Sequence, residues 1–137
     1  MNRVAIILNH ELEKGEAANA SAILMGQMAI NYPSIFADKC LVDKSGYTHS
    51  GIKYNTVILK SNYSKLLKFC EDLLKKDLLK QTNAIVFTNV GKTLSNKYDE
   101  YEEAIKTNTL NNLIPVAIVI AGEECMIREL TKKFSLY

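Results

Sequence analysis

Four short, unbroken apolar runs constrain this chain most: "VAIIL" at 4–8, "NTVILK" at 55–60, "NAIVFTN" at 83–89 and "IPVAIVIAG" at 114–122. A strand with one wet face alternates apolar and polar residues, so runs without alternation predict strands covered on both sides. The stretches between them carry helical patterns. "KGEAANASAILMGQMA" predicts a helix with Ala18, Ala22, Met25 and Ala29 on one stripe and Ala20, Ile23, Leu24 and Gln27 beside it. "SNYSKLLKFCEDLLKKDLL" predicts an amphipathic helix capped by Ser64, with Leu66, Leu67, Cys70, Leu73 and Leu74 as its apolar face.

"YDEYEEAIK" predicts a short helix with Tyr98, Tyr101 and Ile105 on one side. The closing "EECMIRELTKKF" puts acids near a helix start and lysines near its end, as the helix dipole favours. Between the first and second strong strands, "FADKCLVDKSGYTHSGI" predicts a strand leaving the core and an irregular connection around a glycine turn. A second glycine turn is expected at "VGKTLSN". Strands alternating with helices predict a single α/β domain over residues 1–137. A chain of this length buries roughly 65–70% of its unfolded surface without disulfides or a structural metal.

The 17 basic and 15 acidic residues leave a formal charge of +2, which gives no whole-molecule attraction to nucleic acid. Cys40, Cys70 and Cys125 are odd in number and set in apolar runs, so they read as core thiols of an intracellular protein. Only five consecutive apolar residues follow Arg3, too few for a signal segment or a membrane span, and the expected compartment is the cytoplasm.

In α/β folds, sites gather where strand ends meet helix N-termini. Four such ends are readable, at Asn9-His10, Lys60-Ser61-Asn62, Thr88-Asn89 and Ala121-Gly122-Glu123. Helix caps and turns are the plainer use of these amides and hydroxyls. Asn19 differs, because an amide among alanines inside a helix costs propensity unless it meets a partner. Lys14 before Gly15 could hold a phosphate, although a solvated loop lysine is the simpler reading. "NVGKTLSN" contains Gly-Lys-Thr but lacks the first glycine of a phosphate loop, and no GxGxxG is present.

His10 and His49 are the only histidines. Neither has metal-ligand spacing with Cys40 or Asp43, so no metal and no cofactor are expected. Asp43 and His49 flank the turn "DKSGYTH", where an Asp–His bond would steady the turn or orient an imidazole as general base. The lysines at 65, 68, 75, 76 and 80 alternate with acids and read as a solvated helix face.

The runs "VAIILNHELEKGEAANASAIL", "LVDKSGYTHSGI", "TVILK", "NAIVFTN" and "VAIVIAG" resemble a conserved family of unknown function with a peptidyl-tRNA hydrolase type II-like fold. That resemblance implies a mixed four-stranded sheet with helices on both faces. Against the hydrolase itself, Lys14, Gly15, Ala17, Ala18, Ser21, Lys60, Gly91 and Thr93 match and Lys92 keeps a charge. Asn19 replaces a glutamine, Ala22 a histidine and Asn89 an aspartate.

Asn89 cannot take a proton at neutral pH. The resemblance therefore implies a small anionic or nucleotide-like ligand held by Asn9, Lys14, Asn19, Lys60, Asn89 and Lys92. The alternative is a hydrolase acting on a peptidyl-tRNA-like or other ester or amide substrate, with His49 paired to Asp43, or His10, as base. A third reading is a non-catalytic homodimer using "ECMIRELTKKFSLY" as its interface.

Overall fold

Alternation along the first strand decides which helix covers which face of the sheet. In β1 (Asn2–Asn9), Val4, Ile6 and Leu8 point one way and Ala5 and Ile7 the other, and all five are buried. The first set packs on Ala17, Ala20, Leu24 and Met28 of α1 (Lys14–Asn31). The second set meets helices that come later in the chain. The computed structural model describes residues 2–94 and 96–137. Ser95, inside the turn expected at 90–96, lies outside the described residues.

After α1 and a 3-10 turn at Pro33–Ile35, β2 (Leu41–Val42) and β3 (Thr48–His49) form a small antiparallel hairpin. The chain then enters β4 (Asn55–Ser61), α2 (Tyr63–Lys75), a 3-10 turn at Leu78–Lys80 and β5 (Asn83–Thr88). Three short helices follow: α3 (Asn89–Thr93), α4 (Tyr98–Thr107) and α5 (Leu110–Leu113). Then β6 (Pro115–Glu123), α6 (Glu124–Thr131) and β7 (Ser135–Leu136) close the chain.

The main sheet is mixed and runs β5-β6-β1-β4-β7, five strands rather than the four expected. The extra strand is β7, two residues that pair Leu136 with Leu59 and Ser135 with Lys60. Two residues carry no readable alternation, which is why the C-terminal run read as helix alone. β1 is parallel to β4 and antiparallel to β6, and β6 is antiparallel to β5. The carboxyl ends of β1, β4 and β5 therefore lie along one end of the sheet.

The second face carries α2 and α6: Leu66, Phe69, Cys70 and Leu73 join Ile127 and Phe134 against Ala5, Ile7, Ile118 and Ile120. Helices thus cover both faces, as expected, but several details differ. Asn62, not Ser64, caps α2, its Oδ1 accepting the Lys65 N–H at 2.8 Å. Leu74 is exposed and Phe69 takes the core position. On α1 the inward stripe is Ala17, Ala20, Leu24 and Met28, leaving Ala18 and Ala22 exposed. Both stripes have helical spacing, and alanine on either side gives no contrast by which to choose.

The segment "VGKTLSN" is not simply a turn, since α3 takes its first half. Gly91 is buried there, and a Cβ would stand 2.7 Å from the Phe87 ring, so the glycine serves packing between α3 and β5. Cys70 is a core thiol, whereas Cys40 and Cys125 are exposed; all three are free. Among the described residues no helix is long and apolar enough to cross a membrane.

Candidate functional site

A pocket of about 460 Å³ opens at the carboxyl ends of β1 and β4, within the ~300–1,000 Å³ range of small-molecule sites. Two local arrangements build it. Asn9 and Ser61 are register partners at the ends of parallel strands, which places His10 beside Ser61. The Ser61 carbonyl accepts the His10 backbone N–H at 2.8 Å and bonds the His10 Nδ1 at 3.0 Å. A carbonyl only accepts, so Nδ1 carries the hydrogen and neutral His10 keeps its lone pair on Nε2.

The second arrangement is the start of α2. Asn62 Oδ1 accepts the Lys65 N–H, one of the orphan donors of the first turn, and the Asn62 carbonyl accepts the Leu66 N–H at 3.1 Å as the first bond of the helix itself. The Tyr63 and Ser64 N–H groups remain for solvent or a ligand. Three lysines line the same pocket: Lys60 at the end of β4, Lys65 in the first turn of α2, and Lys133 after α6. Among the described residues none of the three has a carboxylate within 4.0 Å. The Lys133 ammonium sits 5.5 Å from the ring centres of both Phe69 and Phe134, which orients it. Phe134 is itself fixed edge-on against Phe69, centroids 5.3 Å apart at 83°. Positive charge and free amide hydrogens thus converge over an aromatic wall, an arrangement suited to an anion.

The remaining sequence candidates lie in several places. Asn9 is buried at the pocket's edge in sequence, and its Oδ1 accepts the Glu11 N–H at 3.0 Å, shaping the turn out of β1. Lys14 opens α1 and is exposed, and Asn19 is exposed one turn further on. Asn89 opens α3, its N–H donating to the Ile114 carbonyl at 2.8 Å. Lys92 is 2.5 Å from the Glu16 carboxylate, tying α3 to α1. That ion pair holds the half-buried Glu16 carboxyl below its ordinary range, the Lys92 bond contributing most and the Glu13 N–H next. Of the six ligand candidates, Lys60 lines the pocket.

The catalytic candidates are split. His10 belongs to the pocket, whereas Asp43 and His49 sit on the β2–β3 hairpin beside a separate open depression with Cys40, Leu41 and Val42. The Asp43–His49 bond expected from sequence is present at 2.7 Å. Asp43 Oδ1 also accepts the Ser45 and Tyr47 N–H groups, at 2.8 and 3.1 Å, which makes this carboxylate the organiser of the turn. The His49 bond, then the backbone donors, hold its pKa below the ordinary value. Among the described residues no cluster of His, Cys, Asp and Glu can hold a metal ion.

Sequence reasoning missed Lys133 and Phe134 as site residues and treated Lys65 only as part of a solvated face. The readable signal for Lys65 was its place three residues after Asn62, in the first turn of a helix following a strand. Nothing in the sequence pairs the 133–137 segment with β4.

The family model described as Protein of unknown function (DUF2000) matches residues 2–137, and the chain belongs to that family. Among solved structures, the chain is similar to Atu0240, a protein of unknown function from Agrobacterium tumefaciens strain C58. The likeness covers 99% of this chain and 97% of that one at 14% identity, with a TM-score of 0.83. At that identity the likeness establishes the fold alone. A comparison with curated proteins found no match.

Proposed function

We propose that this DUF2000 protein binds a small phosphorylated ligand in the pocket between β1, β4 and the start of α2. The observation that carries the reading is the convergence of Lys60, Lys65 and Lys133, none with a carboxylate within 4.0 Å among the described residues, on the N-terminus of a 13-residue helix. Lysines left unpaired around a concavity repel one another, and an anion with several oxygens relieves that repulsion. The helix end adds two N–H donors and a favourable dipole. Phe134 and Tyr137 give the ligand's apolar part a wall to rest on, which fits a nucleotide better than a bare ion.

Calorimetric titration with inorganic pyrophosphate and with a nucleoside diphosphate at low salt tests this. Binding should weaken about ten- to a hundredfold in Lys65→Ala and in Lys133→Ala, since a charge-assisted contact is worth ~1.5–3 kcal/mol. It should weaken again as salt is raised. Absence of binding by both anions, or binding indifferent to both substitutions, would contradict it.

A second reading, hydrolysis of a peptidyl-tRNA-like ester on a peptidyl-tRNA hydrolase type II-like fold, draws on His10. Its Nδ1 is engaged by the Ser61 carbonyl, so Nε2 is the free basic nitrogen in a pocket of cations. A water deprotonated there would attack the ester carbonyl, a lysine would steady the oxyanion, and its collapse would break the ester C–O bond as the proton held on Nε2 passes to the leaving oxygen. The Asp43–His49 pair on the hairpin is the competing base. Turnover of a peptidyl-tRNA analogue that is lost in His10→Ala and kept in His49→Ala would favour His10, and the reverse would favour the hairpin.

A further inference from the structure

Besides its lysines, the pocket offers a bound phosphate the hydroxyls of Ser61, Ser135 and Tyr137 and the imidazole of His10. They are not equal as nucleophiles. A hydroxyl must give up its proton as it attacks, and among the described residues no Asp or Glu lines the pocket to take it. The Ser61 hydroxyl donates instead to the Asn62 carbonyl at 2.9 Å, and the His10 ring bonds none of the three hydroxyls. A neutral imidazole attacks without losing a proton. The Ser61 carbonyl, 3.0 Å from His10 Nδ1, leaves the lone pair on Nε2 and would steady the positive charge the ring gains on forming a new bond there.

His49 lacks these features. Its Nε2 is spent on the Asp43 carboxylate at 2.7 Å, and no lysine or arginine lines the depression beside it. His10 alone combines a free Nε2 with Lys60, Lys65 and Lys133. A phosphoryl group in transit spreads negative charge over three oxygens, and a protein helps it chiefly by position and by positive charge.

We propose that His10 Nε2 is a phosphoryl acceptor, a step that rests on the pocket holding a phosphorylated ligand. The Nε2 lone pair forms an N–P bond, the P–O bond to the leaving group breaks, and its electron pair departs with that oxygen. No carboxylic acid lines the pocket to protonate a departing alkoxide, and lysine ammonium is a weak acid. The donor is therefore a phosphoric anhydride, an acyl phosphate or a nucleoside triphosphate, whose leaving group is already a stable anion. Water then takes the phosphoryl as orthophosphate, and the N–P electron pair returns to Nε2.

Incubation of the full chain with radiolabelled acetyl phosphate and, separately, with γ-labelled ATP tests this, beside calorimetry with inorganic pyrophosphate. At least one donor should leave a label that is stable to alkali and lost in acid, as an N–P bond is, and the donor that works identifies the source. His10→Gln should abolish the label while still binding pyrophosphate, which shows an intact pocket. Lys65→Ala and Lys133→Ala should each slow labelling at least about tenfold. Pyrophosphate binding without label from either donor overturns the inference and leaves the anion pocket standing. Absence of both binding and label overturns the two together. A label that survives His10→Gln, or one lost in His49→Gln instead, also overturns it.

Discussion

The His10 side chain and the Ser61 carbonyl, 51 positions apart in sequence, meet at 3.0 Å across the ends of two parallel strands. The same carbonyl takes the His10 backbone N–H, so the imidazole is held in place by strand pairing rather than by a flexible loop. Nitrogen-15 spectra of neutral His10 should show the hydrogen on Nδ1. Replacing His10 with alanine should cost about 0.5–1.5 kcal/mol, the net worth of one hydrogen bond, measured by urea unfolding.

The cap of α2 separates two readings of "SNYS". Asn62→Ala removes the acceptor of the Lys65 N–H and should destabilise the protein by about 1 kcal/mol in chemical denaturation. Ser64→Ala should stay within about 0.5 kcal/mol, because Ser64 is exposed and caps nothing. Equal losses at the two positions would contradict the assignment.

The three cysteines should differ sharply in reactivity. Burial pushes the Cys70 thiol up to about 12, so it stays protonated and inert at neutral pH. Cys40 and Cys125 are exposed. A colorimetric thiol reagent at neutral pH should titrate two thiols in the native protein and the third only in denaturant. Three fast thiols would place Cys70 outside the core.

The Glu16–Lys92 pair gives a pH dependence whose sign follows from the depressed Glu16 pKa. A carboxyl lowered on folding adds stability that is present above its unfolded value, about 4.3, and is lost as pH falls through the lower folded value. Glu16→Gln should therefore flatten the acid limb of stability against pH below about pH 4. Above about pH 5 the variant should run parallel to wild type. Thermal unfolding across that range checks it.

The architecture was legible in the sequence wherever a long run carried its own period. β1, β4, β5 and β6 could be read from continuous apolar residues, and α2 from leucines at helical spacing. β7 could not, because two residues hold no period and its pairing with β4 depends on the chain returning after α6. The inward face of α1 was misread for want of contrast, since its outward face is nearly as apolar.

The site was legible in pieces. A strand end followed by a helix start marked Lys60, Ser61 and Asn62, and His10 followed from the end of β1. What brings Lys133 and Phe134 to them is tertiary, the packing of α6 beside α2. The Asp43–His49 bond was readable because the pair stands six positions apart across a glycine turn. Its distance from His10 in the fold was not.

Amide chemical-shift mapping during titration with inorganic pyrophosphate tests the pocket most directly. The account predicts saturable shifts concentrated at His10, residues 60–65 and Lys133, with the β2–β3 hairpin and α1 unmoved. Shifts centred on Asp43 and His49, shifts scattered over all lysines, or none at concentrations that saturate phosphate sites elsewhere would contradict it.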